Sequence, residues 1–77
     1  MKVEILGGGC ANCKRLEENA RKACKELGIK ARFVKVQDFA QIASYGVMAT
    51  PALVVDGEVR SYGRVPSVDE IKKLLKE

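Results

Sequence analysis

Seventy-seven residues, 47% apolar and 31% charged, describe one globular domain (residues 1–77) and not a disordered chain. The net charge of +4 is not a nucleic-acid signature: the cations interleave with glutamates at helical spacing (Lys14, Glu18, Lys22, Glu26), and no aromatic platform accompanies them. Three cysteines are too few for a disulfide scaffold, and the apolar run in "MKVEILGGG" is far short of a secretory core or of the ~20 residues that span a bilayer, so a cytoplasmic chain with no membrane contact is expected.

"KVEIL" (Lys2 to Leu6) reads as a strand in which Val3 and Ile5 alternate against charged neighbours. Gly7, Gly8 and Gly9 break it, and their lack of side chains would let a partner's backbone approach closely. From Ala11 to Leu27 the pattern is helical: Leu16, Ala20, Ala23 and Leu27 form one apolar face, and Gly28 ends the helix. "IKARFVKV" (Ile29 to Val36) reads as a second strand. Asp38 caps a short helix, with Gln41 as its capping-box partner, that stops near Gly46. "PALVV" (Pro51 to Val55) is a buried strand, Asp56-Gly57 a two-residue hairpin, and "EVRSY" (Glu58 to Tyr62) the returning strand. Ser67 caps the last helix with Glu70 as box partner, and Val68, Ile71, Leu74 and Leu75 form its apolar stripe.

The order is β-α-β-α-β-β-α. The first helix crosses over the sheet, which predicts parallel pairing of the first two strands, and the hairpin makes the last two antiparallel. An α/β fold follows, a four-stranded mixed sheet flanked by helices.

The chemistry is in "GGGCANCKR". Cys10 and Cys13 stand where a glycine-rich loop enters a helix, and there unpaired N–H groups and aligned peptide dipoles favour the anionic thiolate, which is the reactive form. Lys14 and Arg15 add positive charge. Cys10, at the cap, is the expected nucleophile; Cys13, one turn in and facing the core, is the expected resolving thiol. Two readings compete. The pair could pack as small hydrophobes, or two thiolates could hold a soft ion such as Cu(I) or Zn(II). Against metal, small heavy-metal-binding domains usually carry Met two residues before the first Cys, where Gly8 stands here, and they end in a strand instead of "SVDEIKKLLKE". Cys24, about 16 Å along the helix from Cys13, cannot join either in a disulfide and is expected in the core.

With strand, C-x-x-C at a helix start, strand, helix, "ATPALVV", hairpin and final helix, the whole chain resembles the thioredoxin superfamily. Within it the resemblance is to the small thioredoxin/glutaredoxin-like redox-active disulfide proteins of archaea and bacteria, which share a "GCANC"-like stretch and a "GRV" loop. The chain departs from thioredoxin in having Gly9 before Cys10 and Ala11-Asn12 between the cysteines, and "KVEIL" offers no evident counterpart of thioredoxin's buried acid. The resemblance implies a thioredoxin-like fold and a protein disulfide oxidoreductase. It implies a cis Pro51 facing the disulfide, and a Thr50 whose backbone meets the substrate chain. Gly9, Ala11 and Asn12 would complete that binding surface. The expected partners are disulfide-containing target proteins and an external reductase such as a thioredoxin reductase. The expected state is a monomer with no metal and no cofactor beyond the Cys10–Cys13 disulfide.

Overall fold

The computed structural model describes residues 1–7 and 11–76. Seven elements follow in chain order: β1 (Lys2–Leu6), α1 (Ala11–Leu27), β2 (Arg32–Val36), α2 (Phe39–Ser44), β3 (Ala52–Val55), β4 (Glu58–Tyr62) and α3 (Val68–Lys76). The strands form one sheet in the order β2-β1-β3-β4. β1 and β2 are parallel, in the register Ile5 to Lys35, while β1–β3 and β3–β4 are antiparallel. The mixed sheet is the one expected from the sequence.

Local chemistry explains most boundaries. Gly28 at φ +69° lets its own N–H reach the Lys25 carbonyl and the Ile29 N–H reach that of Cys24. This double bond pattern satisfies the last carbonyls of α1. It also corrects the predicted second strand: Ile29 belongs to the helix cap, so β2 begins three residues later than expected, at Arg32. Asp56 and Gly57 both have positive φ, as a type I′ hairpin turn requires. At α3 the capping box forms in full: the Glu70 N–H donates to the Ser67 hydroxyl, and the Ser67 N–H to the Glu70 carboxylate. At α2 the Asp38 carboxylate accepts the Ala40 N–H.

The two sheet faces carry separate cores. Val3, Ile5, Leu53 and Val55 pack under α1 and α3 with Leu16, Ala20, Ala23, Cys24 and Ile71. Leu6, Val36, Ala52 and Val54 pack under α2 with Ile42. Cys24 is therefore a core residue, and burial pushes its thiol pKa up. Glu4 departs from the alternation expected of β1. It is only 5% exposed, sits in the α2 layer, and accepts a hydrogen bond from the Tyr45 hydroxyl. A charged residue in the middle of a strand is thus a buried acid here, because α2 closes over that face.

Candidate active site

The site forms where β1 ends and α1 begins. Cys10 and Gly9 lie outside the described residues, as does Gly8. Cys13 is buried, 5% exposed, on the inner face of the first turn of α1. Its sulfur is seated against Gly7. A methyl group built on Gly7 would lie 2.3 Å from the Cys13 Sγ and 3.9 Å from the Pro51 Cα. Only a residue without a side chain lets helix, strand and proline loop converge this closely. The sequence suggested that Gly7 leaves room for a partner's backbone; the structure gives that room to the chain's own thiol.

The Thr50–Pro51 peptide bond is cis. Pro51 is buried and Thr50 exposed. The Pro51 carbonyl accepts the Gly63 N–H, which holds the loop to the end of β4. Ala11, Asn12, Lys14 and Arg15 are exposed around the helix start. The first turn of α1 contains no acidic residue, so nothing there opposes the positive helix end. Of the residues singled out from sequence, the structure brings Cys13 and Pro51 together across Gly7. It places Ala11, Asn12, Thr50, Lys14 and Arg15 at the surface.

Two features escaped the sequence reading. The first is a cavity of about 130 Å³ beside Cys13, lined by Gly7, Lys14, Glu17, Lys35 and Gln37. Glu17 accepts from Arg21 Nε at 2.9 Å and pairs with Lys35 Nζ at 3.1 Å. Burial acts to raise the Glu17 pKa, but the bonds from Arg21 and Lys35 together outweigh it and hold the carboxyl below its usual range. Glu17 was findable, since it lies one helical turn beyond Cys13. Lys35 was not, because its position depends on the β1–β2 register. The second feature is an apolar groove of about 190 Å³ beside Thr50, lined by Phe39, Ile42, Val47 and Met48. Phe39 is 83% exposed and Met48 94%. Both side chains border the same groove next to Thr50.

A C-x-x-C motif entering the crossover helix of such a sheet, with a cis proline packed against the same glycine, defines a protein of the thioredoxin-fold class. The comparisons carry this further. A family model described as "Thioredoxin domain" matches residues 1–76. A protein of Methanothermobacter thermautotrophicus named thioredoxin is 56% identical over 75 residues, covering 97% of each chain. Another of that name from Methanocaldococcus jannaschii is 45% identical over 74 residues, covering 96% of this chain and 85% of the other. Thioredoxin 1 of Thermosipho africanus shares the fold at a TM-score of 0.65 and 18% identity, over 99% of this chain and 91% of that one. The chain belongs to the thioredoxin family and is a thiol–disulfide oxidoreductase.

Proposed function

We propose that the activity runs through Cys10 and Cys13 and that its substrates are disulfides of other proteins. The observation that carries this reading is the seating of the Cys13 sulfur on Gly7 beside Pro51. It supports a resolving thiol that is shielded from solvent yet adjacent to the strand-like edge at Thr50. A target segment would pair with the Thr50 backbone as an added strand, with Gly9, Ala11 and Asn12 bordering it and Phe39 and Met48 gripping its apolar side chains. The Cys10 thiolate attacks the target disulfide and forms a mixed disulfide. Cys13 then attacks the Cys10 sulfur, releases the target thiolate and closes the Cys10–Cys13 bond. Two electrons have passed from the dithiol to the target, and an external dithiol reductase, such as a thioredoxin reductase, returns them. Lys14 and Arg15 favour the thiolate state of the pair.

No further cofactor enters this scheme, which suits a monomer in a reducing, cytoplasmic setting. Among the described residues, no helix is long and apolar enough to cross a membrane. Purified protein should accelerate dithiothreitol-driven reduction of insulin; Cys10→Ser should abolish this, and Cys13→Ser should stall as a covalent adduct with the target. An unaltered rate in Cys10→Ser would refute the reading. If a Cu(I) titration silenced both thiols while insulin reduction was absent, the soft-metal alternative would take its place.

A further inference from the structure

The loop between β4 and α3 is tied to α1, to α3 and to the Pro51 segment, and the exchange scheme uses none of these ties. We propose that Asn19 is a positioning residue for the target: through the carbonyl of Pro66 it fixes the loop at 63–66, and that loop holds the residues on either side of Thr50, where a target chain pairs. The inference rests on the pairing at Thr50 proposed above.

The contacts run outward from Gly63. Its N–H donates to the Pro51 carbonyl at 3.0 Å, and a methyl group built on it would come within 3.2 Å of the Ala49 Cβ. Gly63 thus lies against both neighbours of Thr50. Further along the loop, Pro66 is fully buried. It stands outside α3, so its carbonyl has no place in that helix's ladder. Asn19 Nδ2 of α1 donates to this carbonyl at 3.0 Å, across 47 residues of sequence. The other tie is Arg64 Nη2 to the Glu70 carboxylate at 2.6 Å, which joins the loop to the α3 capping box.

The two ties differ in kind. Arg64 and Glu70 are 58% and 47% exposed, and surface ion pairs of this sort contribute little. The Asn19 bond is part-buried and carries no net charge, so salt does not screen it. Asparagine is a poor helix former, because its side chain competes for nearby backbone bonds, yet Asn19 stands in the middle of α1. Its carboxamide reaches Pro66 instead, and that bond offsets the local cost. A local rule broken in an otherwise regular helix points to what the residue reaches. Without the tie, the Thr50 edge has to be ordered at the moment a target pairs with it. The loss then falls on binding and not on the chemistry of the thiols.

The test separates the two. In Asn19→Ala the KM for insulin should rise about fivefold, the factor of one ordinary hydrogen bond, with kcat unchanged. Reduction of dithiobis-nitrobenzoate, a small disulfide with no peptide backbone to pair, should keep its rate. Amide hydrogen exchange at Gly63 should quicken by a similar factor. Asn19→Asp keeps the size but sets a carboxylate, which has no proton to donate, against a carbonyl; at neutral pH it should raise KM at least as far as Asn19→Ala. Glu70→Gln should raise KM by a smaller factor. Equal slowing of insulin and of the small disulfide would overturn the proposal, because a tie that serves only stability acts on both substrates alike. So would an unchanged KM in both Asn19 variants. If Gly63 exchange quickens while KM stays fixed, the tie holds the loop and the pairing at Thr50 is what fails; if neither changes, this inference fails alone.

Discussion

The two faces of the sheet solve different problems. Under α1 and α3 the core is the larger of the two, and Gly7, Cys13, Glu17 and Lys35 meet at one end of it. Under α2 the core is smaller, and a carboxylate sits in mid-strand, bonded to Tyr45. The difference follows from helix length. The 17 residues of α1 bury a continuous apolar stripe and anchor themselves. The six residues of α2 are too short to persist without tertiary contacts, and Ile42 is the only one of them that is buried. The Tyr45–Glu4 bond pins the end of that helix, just before the segment that leads to Thr50 and Pro51. One face therefore holds the thiol by packing, and the other holds the proline loop through a polar bond.

The largest expected effect tests the packed face. Gly7→Ala forces the new methyl group onto the Cys13 sulfur, and the Cys13 Cβ at 3.4 Å leaves little room to yield. Overpacking of this kind costs about 1–3 kcal/mol. Urea denaturation should show a loss in that range, and insulin reduction should fall with it. Removing the sulfur as well, in Gly7→Ala/Cys13→Ala, should recover most of the stability lost by the first change, because the two sites are in contact and their effects are not additive. Strict additivity would show that the seating of Cys13 on Gly7 is not what the mutation disturbs.

Next in size is the polar bond of the other face. Tyr45→Phe leaves a buried Glu4 carboxylate without its hydroxyl donor, with the Lys2 ammonium 3.7 Å away and largely exposed. An abandoned buried acceptor costs about 1–3 kcal/mol. The bond to Glu4, then burial, then the Glu4 charge all raise the Tyr45 pKa. A group whose folded pKa is raised stabilises fully below its unfolded pKa, about 10 for tyrosine, and loses that contribution as pH rises through the folded value. The stability gap between the unaltered protein and Tyr45→Phe should therefore narrow above about pH 10. Cys24, also raised by burial, destabilises with the same sign from a lower pH, but it does so in both proteins and cancels in the gap. A gap constant through pH 11 would show that Tyr45 is not the group titrating on this face.

The packed face was the more legible of the two in the sequence. The Gly28 cap, the Asp56-Gly57 turn and the Ser67–Glu70 box are local signals, and each acts where its residues stand. So is the spacing that puts Cys13 inward with Leu16 and Ala20. What could not be read was every feature set by a partner distant in sequence. Glu4 looked solvated because nothing local shows that Tyr45, 41 residues on, closes over it. Lys35 reaches the cavity only through strand register. Gly7 has the Cys13 sulfur as its neighbour, and that sulfur is placed by the packing of α1 on β1 and by no local signal.

The smallest effect is the mirror of the Tyr45 titration. Glu17, on the packed face, has its pKa held down, so its contribution is present above the ordinary glutamate value and is lost as pH falls through the folded one. Glu70, bonded to Arg64 and to the start of α3, titrates with the same sign. Stability should thus decline below about pH 4.5 through the α1–α3 side, and at high pH first through Cys24 and then, above about pH 10, through Tyr45 on the α2 side. Salt separates the two arms. Ion pairs with exposed cations such as Arg21 and Arg64 are screened in 1 M sodium chloride, where the Debye length is about 3 Å, whereas the part-buried bond from neutral Tyr45 to the buried Glu4 is screened far less. High salt should flatten the acid arm and leave the alkaline arm in place; because pairs of this kind contribute about 0–1 kcal/mol, the change should be smaller than either mutation above. If salt flattened both arms equally, the Tyr45–Glu4 pair would have to be as exposed to solvent as the others, and the contrast between the two faces would be lost.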